Sequence, residues 1–240
     1  MDLPEVAWVD AEAAGTDLAL LPIGSTEQHG PHAPLATDTL LAEAVAEAAA
    51  AAYDGEVVVA PAIPYGISEE HRAFSGTLWV SPDTFRSAVQ EVAVSLFAHG
   101  VRKVVLVNGH GGNTGALREV AADLSRHEPG YAVAFTWFEA VDEHSGDMGH
   151  AGPLETAMLR VHHPDLVNED RIEDARSDAT DRWGEWVTGV NLAYDTDEFT
   201  ENGVVGDPAA GDAGRGETLT RLAVAGLVDL LDAVADRPVD

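Results

Sequence analysis

The sequence predicts an α/β fold, a three-layer sandwich with a mainly parallel central sheet and helices on both faces. Four short runs rich in Val, Ile and Leu lie before residue 140, and stretches of helical period separate them. The runs are unbroken rather than alternating, which is the pattern of strands covered on both sides.

Taken in order, the expected strands are LALLPI (18–23), VVVAPAI (57–63), VVLVNG (104–109) and AVAFTW (132–137). Helices are expected near 39–53, 83–99 and 114–126. The second is bounded by Ser81 as N-cap, Pro82 at the first helical position and Gly100 just past its end. A further helix starts near Pro153, and a last one covers about 216–235. Residues 1–240 read as one domain, with a less regular insertion or cap at about 165–214 that holds Trp183, Trp186 and the stretch GVVGDPAAGDAG.

Charge and composition exclude several classes. The chain has 42 Asp and Glu against 13 Lys and Arg, a net charge of −29 and no cysteine. Thiolate metal sites, disulfides and a cysteine nucleophile are therefore excluded. Nucleic acid and anionic membranes are poor partners for so acidic a protein. Lys103 is the only lysine; an arginine-based, acid-rich coat is what a high-salt cytoplasm favours, because salt screens self-repulsion. The N-terminal segment has neither a basic start nor an apolar run, and no stretch is long and apolar enough to span a bilayer, so a cytoplasmic location is expected.

In open parallel sheets ligands bind beyond the carboxyl ends of the strands. Three such loops are rich in ionisable residues: GSTEQHGPHAPLATDT, NGHGGN and EHSGDMGHAGPLETA. Glu27, His29, His32, Asp38, His110, His144, Asp147, His150 and Glu155 are therefore candidates for one shared site. Glu27 and His29, two apart, leave an extended segment on the same side. Asp38 precedes a strongly helical run and by itself reads as an N-cap before it reads as a ligand, two roles that are compatible if one carboxylate oxygen stays free. Glu155 falls in a first helical turn, where it can serve a free amide or a metal. Glycines around His110 allow close approach of a ligand. His150, among small residues, suits an acid or base. His71 opens on the same crevice, whereas His99, His127, His162 and His163 sit near helix ends and read as structural. A nucleotide-binding domain is the non-enzymatic alternative, but Thr114 occupies the third glycine position of a dinucleotide fingerprint. No G-x-S-x-G elbow supports a serine hydrolase.

PIGSTEQHGPHAPLATDT, PYGISEEHRAFSGT, VNGHGGN, HAGPLETAML and GVVGDP, in this order, resemble the successive motifs of the creatininase family of metal-dependent amidohydrolases. The resemblance runs from about residue 18 to 218. It implies a two-metal centre holding Zn, Mn or Fe, a small amide substrate and a homo-oligomer, commonly a hexamer. By motif position Glu27, Asp38 and His110 would hold one ion, while His29 and a bridging Asp38 share the second. His150 would be the catalytic histidine. His71, Asn113 and Asp147 are expected to contact substrate. Two positions depart from the creatinine-hydrolysing pattern: Gly112 replaces a glutamate ligand and Gly146 replaces a tryptophan. The missing ligand would be supplied by Glu155, by water or by substrate. The NGHGGN form is similar to branches that include a formamidopyrimidine deformylase and a mycofactocin-precursor peptidase.

Overall fold

The computed structural model describes residues 1–239, with Asp142 and Glu143 described in their backbone only. Its sheet holds β1 (Leu18–Ile23), β2 (Val58–Val59), β3 (Lys103–Asn108) and β4 (Tyr131–Thr136), in the order β2-β1-β3-β4 and all parallel. The register pairs Leu18 with Lys103 and Ile23 with Asn108, so β1 and β3 end level with each other.

The unbroken apolar runs follow from a sheet buried on both sides. Side chains alternate across a strand, so Leu18 and Leu20 enter one core while Ala19, Leu21 and Ile23 enter the other. In β3, Val105 and Val107 join the first core, and Val104 and Leu106 join the second. The first core is closed by α2 (Thr37–Ala52), α5 (Pro153–His162) and α7 (Ala213–Ala235), the second by α3 (Pro82–Ala98) and α4 (Thr114–His127). Ser81 caps α3, accepting from Thr84 N, as its sequence foretells.

Three local expectations need correction. The second strand is only two residues long, because Pro61 and Pro64 lack the N–H that a ladder needs; its continuation is marked by the single bridge of Ile63 to Ile23. The last helix starts earlier than expected, at Ala213, where Asp212 accepts from Arg215 N and so caps a turn whose glycines hid it. Two short helices, α1 (Trp8–Ala13) and α6 (Ile172–Ser177), and the antiparallel pair β5 (Trp186–Val187) and β6 (Val190–Asn191) had no periodic pattern to announce them.

Lys103 is buried, and its ammonium donates to the carbonyl of Ala235 at 2.6 Å, placing the single lysine against the C-terminal end of α7. No helix among the described residues is long and apolar enough to cross a membrane.

The chain leaves β1 for β2 on one side and later returns to β3 on the other. The ends of β1 and β3 therefore diverge into loops that face one crevice. Gly109 closes it from below: a Cβ there would lie 2.1 Å from the Asp38 carbonyl, so only glycine lets the loop after β3 rest on the start of α2. Gly109→Ala should lower stability by about 1–3 kcal/mol, the usual cost of overpacking, read from denaturant unfolding. An unchanged midpoint would mean that the two segments part freely.

Candidate metal centre

The crevice brings together side chains from five segments. Glu27 and His29 come from the loop after β1, Asp38 from α2, His71 from the turn Glu69–His71, His110 from the loop after β3, and His150 and Glu155 from the start of α5. All are buried. His29 Nε2 lies 3.1 Å from Asp38 Oδ1 and 3.6 Å from Glu155 Oε1. His110 Nδ1 lies 3.2 Å from both Glu27 Oε1 and Asp38 Oδ2. Asp38 thus reaches one imidazole with each oxygen.

Asp38 is not the cap of α2. It is the second helical residue, Ala36 holds the cap position without a side-chain bond, and the carboxylate turns inward. Glu155 serves the free amide expected of it, Oε2 accepting from Ala151 N at 2.5 Å, while Oε1 faces His29.

Each imidazole is oriented by a backbone carbonyl. His29 Nδ1 donates to Glu27 O (3.2 Å), His110 Nε2 to Ile67 O (2.7 Å) and His150 Nε2 to Gln28 O (2.7 Å). The other ring nitrogen of each is thereby turned to the centre, where it can bind a metal once any proton on it is lost, the arrangement by which outer partners prepare histidine for a metal. His71 differs. Its Nδ1 accepts from Gln28 Nε2 at 2.8 Å, so its Nε2 carries the proton and faces Glu27 Oε1 at 3.4 Å.

Both oxygens of Glu27, one of Asp38 and His29 Nε2 are buried without any hydrogen bond. Orphaned polar atoms at this depth are costly. The donor set fits divalent ions: carboxylate oxygen and imidazole nitrogen without sulfur suit Zn, Mn or Fe. Three overlapping groups have ligand atoms close enough to share an ion, namely Glu27, Asp38 and His110; His29, His150 and Glu155; and Glu27, His71 and His150.

The charges point the same way. Burial opposes a charge on His29, but Asp38 and Glu155 outweigh it and hold the imidazole well above its usual range. His110 is likewise raised against its burial, by Glu27 and Asp38. Asp38 is pulled far below the carboxylate range, its burial overcome by the two imidazoles. Burial leaves His71 and His150 depressed and therefore neutral at pH 7. Burial also takes His32 down to about 4.

Other candidates stand apart. His32 binds Thr156 Oγ1 through Nε2 at 2.9 Å and supports α5 from behind. Asn113 spends its side chain on backbone, accepting from Ile67 N and donating to Gly24 O, both at 3.0 Å, and is not among the residues that line the cavity. Asp147 is exposed and paired with Arg215 at 2.6 Å, outside the crevice. His144 is half-buried and joins none of the ligand groups. His127 and His162 keep structural contacts, with Asp123 and Thr220. Sequence reasoning missed Gln28, the Ile67 carbonyl, Glu70 and the Arg182-Trp183 pair. Only the position of Glu70 beside His71 could have suggested any of them.

A cavity of about 510 Å³ opens over the centre, lined by Asp38, Glu70, His71, His110, His150 and Glu155 and, at its mouth, by Asp181, Arg182 and Trp183. Gly112 lines it as well. A Cβ at that position would lie 2.3 Å from Ile67 O and 3.1 Å from Glu70 Oε1, so the loop after β2 fills the space that a side chain at 112 would need.

Buried carboxylates and imidazoles beneath an open cavity, at the switch point of a parallel sheet, form a donor set of the kind a metal-dependent hydrolase uses. Residues 4–231 match the family model for creatinine amidohydrolase, and the chain belongs to the creatininase family. It is 35% identical over 216 residues to the mycofactocin precursor peptide peptidase of Mycolicibacterium smegmatis, covering 88% of this chain and 83% of that one. The counterpart in Mycobacterium ulcerans is 39% identical over 162 residues, which span 64% of this chain and 61% of that protein. The creatinine amidohydrolase of Pseudomonas putida is 30% identical over 197 residues, 71% of this chain and 75% of that one. Among solved structures, creatinine amidohydrolase superposes with a TM-score of 0.76 at 26% identity over 99% of this chain and 98% of that one. A Zn-Zn creatininase variant also superposes with a TM-score of 0.76, at 25% identity over 97% of each chain. Family membership displaces the nucleotide-binding alternative.

The raised imidazoles have a measurable consequence. A histidine raised above its unfolded value of 6.5 contributes stability fully below that pH and loses it as pH rises through the folded value. Depressed Asp38 contributes above its unfolded 3.8 and loses this as pH falls through its folded value. Metal-free protein should therefore lose melting temperature from near neutral pH upward, whereas divalent ions, replacing those protons, should suppress the loss. Calorimetry at pH 7 in buffers of different ionisation enthalpy should show protons released on Zn or Mn uptake. Uptake without release would contradict the protonated state of His29 and His110.

Proposed function

We propose that this chain hydrolyses a carbon-nitrogen bond other than a peptide bond, in a small cyclic amide or formamide, with two divalent ions. The observation that carries the reading is the set of buried donor atoms on Glu27, His29 and Asp38 that have no hydrogen bond, lying beneath the cavity. Glu27, Asp38 and His110 would hold one ion, and His29, Asp38 and Glu155 the other, with Asp38 as the bridge. Glu155 stands in for the carboxylate that Gly112 lacks. Bound there, Zn, Mn or Fe would supply Lewis-acid activation of water and of the scissile carbonyl.

His150 carries the proton. Its Nε2–H is committed to Gln28 O, burial keeps the ring neutral, and Nδ1 faces the centre 3.8 Å from Glu27 Oε1. That nitrogen accepts a proton as the water attacks and returns it to the leaving nitrogen. His71 holds Glu27 in place and forms part of the cavity wall.

Creatinine is disfavoured as substrate by Gly112 and Gly146. Formamidopyrimidine deformylation remains within the small-amide reading. A peptidase is the second reading, favoured by 35% identity to a peptide peptidase over 83% of its length against 30% to a creatinine amidohydrolase over 75%. Cytoplasmic location and assembly into a homo-oligomer, a hexamer on the family pattern, belong to the same proposal.

Purified, metal-quantified protein assayed on creatinine, a formamidopyrimidine and a short peptide panel separates these substrates, and chelation should abolish the activity. Asp38→Ala should lose both metal equivalents, and two retained equivalents in elemental analysis would sink the bridge. His150→Gln should keep its metal and lose roughly 10²–10⁴-fold in kcat.

The net charge of −29 with a single lysine supports a further reading, adaptation to high salt. Melting temperature should rise steadily with KCl into the molar range as self-repulsion is screened. A fall over that range would remove the reading.

A further inference from the structure

The segment between α5 and α7 places two adjacent residues, Arg182 and Trp183, at the mouth of the cavity. Trp183 stands edge-on over two imidazoles of the centre, with ring centroids 5.6 Å from His71 and 5.9 Å from His150, and packs against Phe199 at 5.2 Å. Its carbonyl accepts from Trp186 Nε1 at 2.6 Å. The segment is tied to the loop after β2 by Arg72 with Asp195 and by Thr196 Oγ1 with His71 Nδ1. Trp183 is thus a docked wall of the cavity.

Arg182 is the only Arg or Lys lining that cavity. It is exposed and forms no ion pair or hydrogen bond among the described residues. Arg126, Arg171, Arg221 and Arg237 also lack an ion pair among the described residues, but none of them lines the cavity, so Arg182 is set apart by its place over the centre. Arg72, Arg86, Arg118, Arg160, Arg176 and Arg215 all hold carboxylates. Asp181 beside it is exposed and likewise forms no ion pair among the described residues. On the inner wall Glu70 is a half-buried carboxylate without an ion pair among the described residues, suited to accept from an amide N–H.

From this arrangement we infer that Arg182 and Trp183 form a carboxylate-recognition subsite, which selects amides carrying a free carboxylate next to an apolar or aromatic group. The planar guanidinium takes a carboxylate through two parallel hydrogen bonds, and the indole covers the apolar part. This subsite orients the amide over the centre, so the inference rests on the cavity being the catalytic one.

The test uses N-acetylphenylalanine and N-acetylphenylalaninamide, which differ only in the terminal carboxylate, with binding read by calorimetry on metal-loaded and metal-free protein. Wild-type protein should bind the acid at least about tenfold more tightly than the amide, as expected for one charge-assisted contact. Arg182→Gln should abolish that preference and Arg182→Lys should restore part of it. Trp183→Ala should weaken acid and amide alike. Equal affinities in wild type, binding of neither compound, or a preference that survives Arg182→Gln would each overturn the subsite; the last would place the carboxylate on the metal ions. Metal-loaded protein that holds fewer than two equivalents would sink the two-metal reading, while an Arg182-dependent preference in metal-free protein would still uphold the subsite.

Discussion

The structure depends on an excess of buried negative charge. Glu27, Asp38 and Glu155 lie within a few ångströms of one another's imidazole partners, out of contact with solvent and without a guanidinium or ammonium to neutralise them. Burying carboxylates is expensive unless a cation accompanies them. Protons on His29 and His110 meet part of that demand, and divalent ions would meet it more fully. The elevated imidazoles and the hydrogen-bond-free oxygens of Glu27 are two expressions of the same unmet charge.

Holding such a cluster requires rigid surroundings. The level ends of β1 and β3 set the two loops side by side, and both cores clamp these strands from either face. Gly109 allows the loop carrying His110 to lie on the backbone of Asp38. Carbonyls of Glu27, Ile67 and Gln28 then fix three imidazoles in one orientation each. Backbone acceptors do this well because the loops that carry them are themselves pinned, Glu27 N donating to Leu35 O and Ile67 N to Asn113 Oδ1. The stretch GVVGDP contributes in the same manner, since Val205 pairs with His150 through both backbone groups and anchors the start of α5.

Chemistry and selection fall on different parts of the chain. Ligand-type residues occupy short loops directly attached to strands or helix starts, where positions are stiff. The cavity mouth is built by the irregular segment after α5, whose residues form turns and one small hairpin. Such a segment can change its side chains without disturbing the centre, which is where substrate preference is most easily altered.

By itself the sequence determined the sheet, the helices and nearly every buried ionisable residue of the centre, because apolar runs and strand-end histidines are local patterns. Its errors were local conflicts that only packing resolves. Asp38 looks like a cap until α2 begins at Thr37, two residues earlier than such a cap implies, and turns the carboxylate inward. Asn113 looks free to meet substrate until the Ile67 amide and the Gly24 carbonyl claim it. Asp147 sits in the right loop but leaves the crevice to pair with Arg215. Which nitrogen of each histidine faces the centre, why Gly112 must lack a side chain, and how Arg182 and Trp183 come to overlook residues more than thirty positions away were decided by the tertiary structure alone. All three depend on backbone from distant segments meeting within hydrogen-bond or van der Waals range, and no spacing in a linear chain encodes that contact.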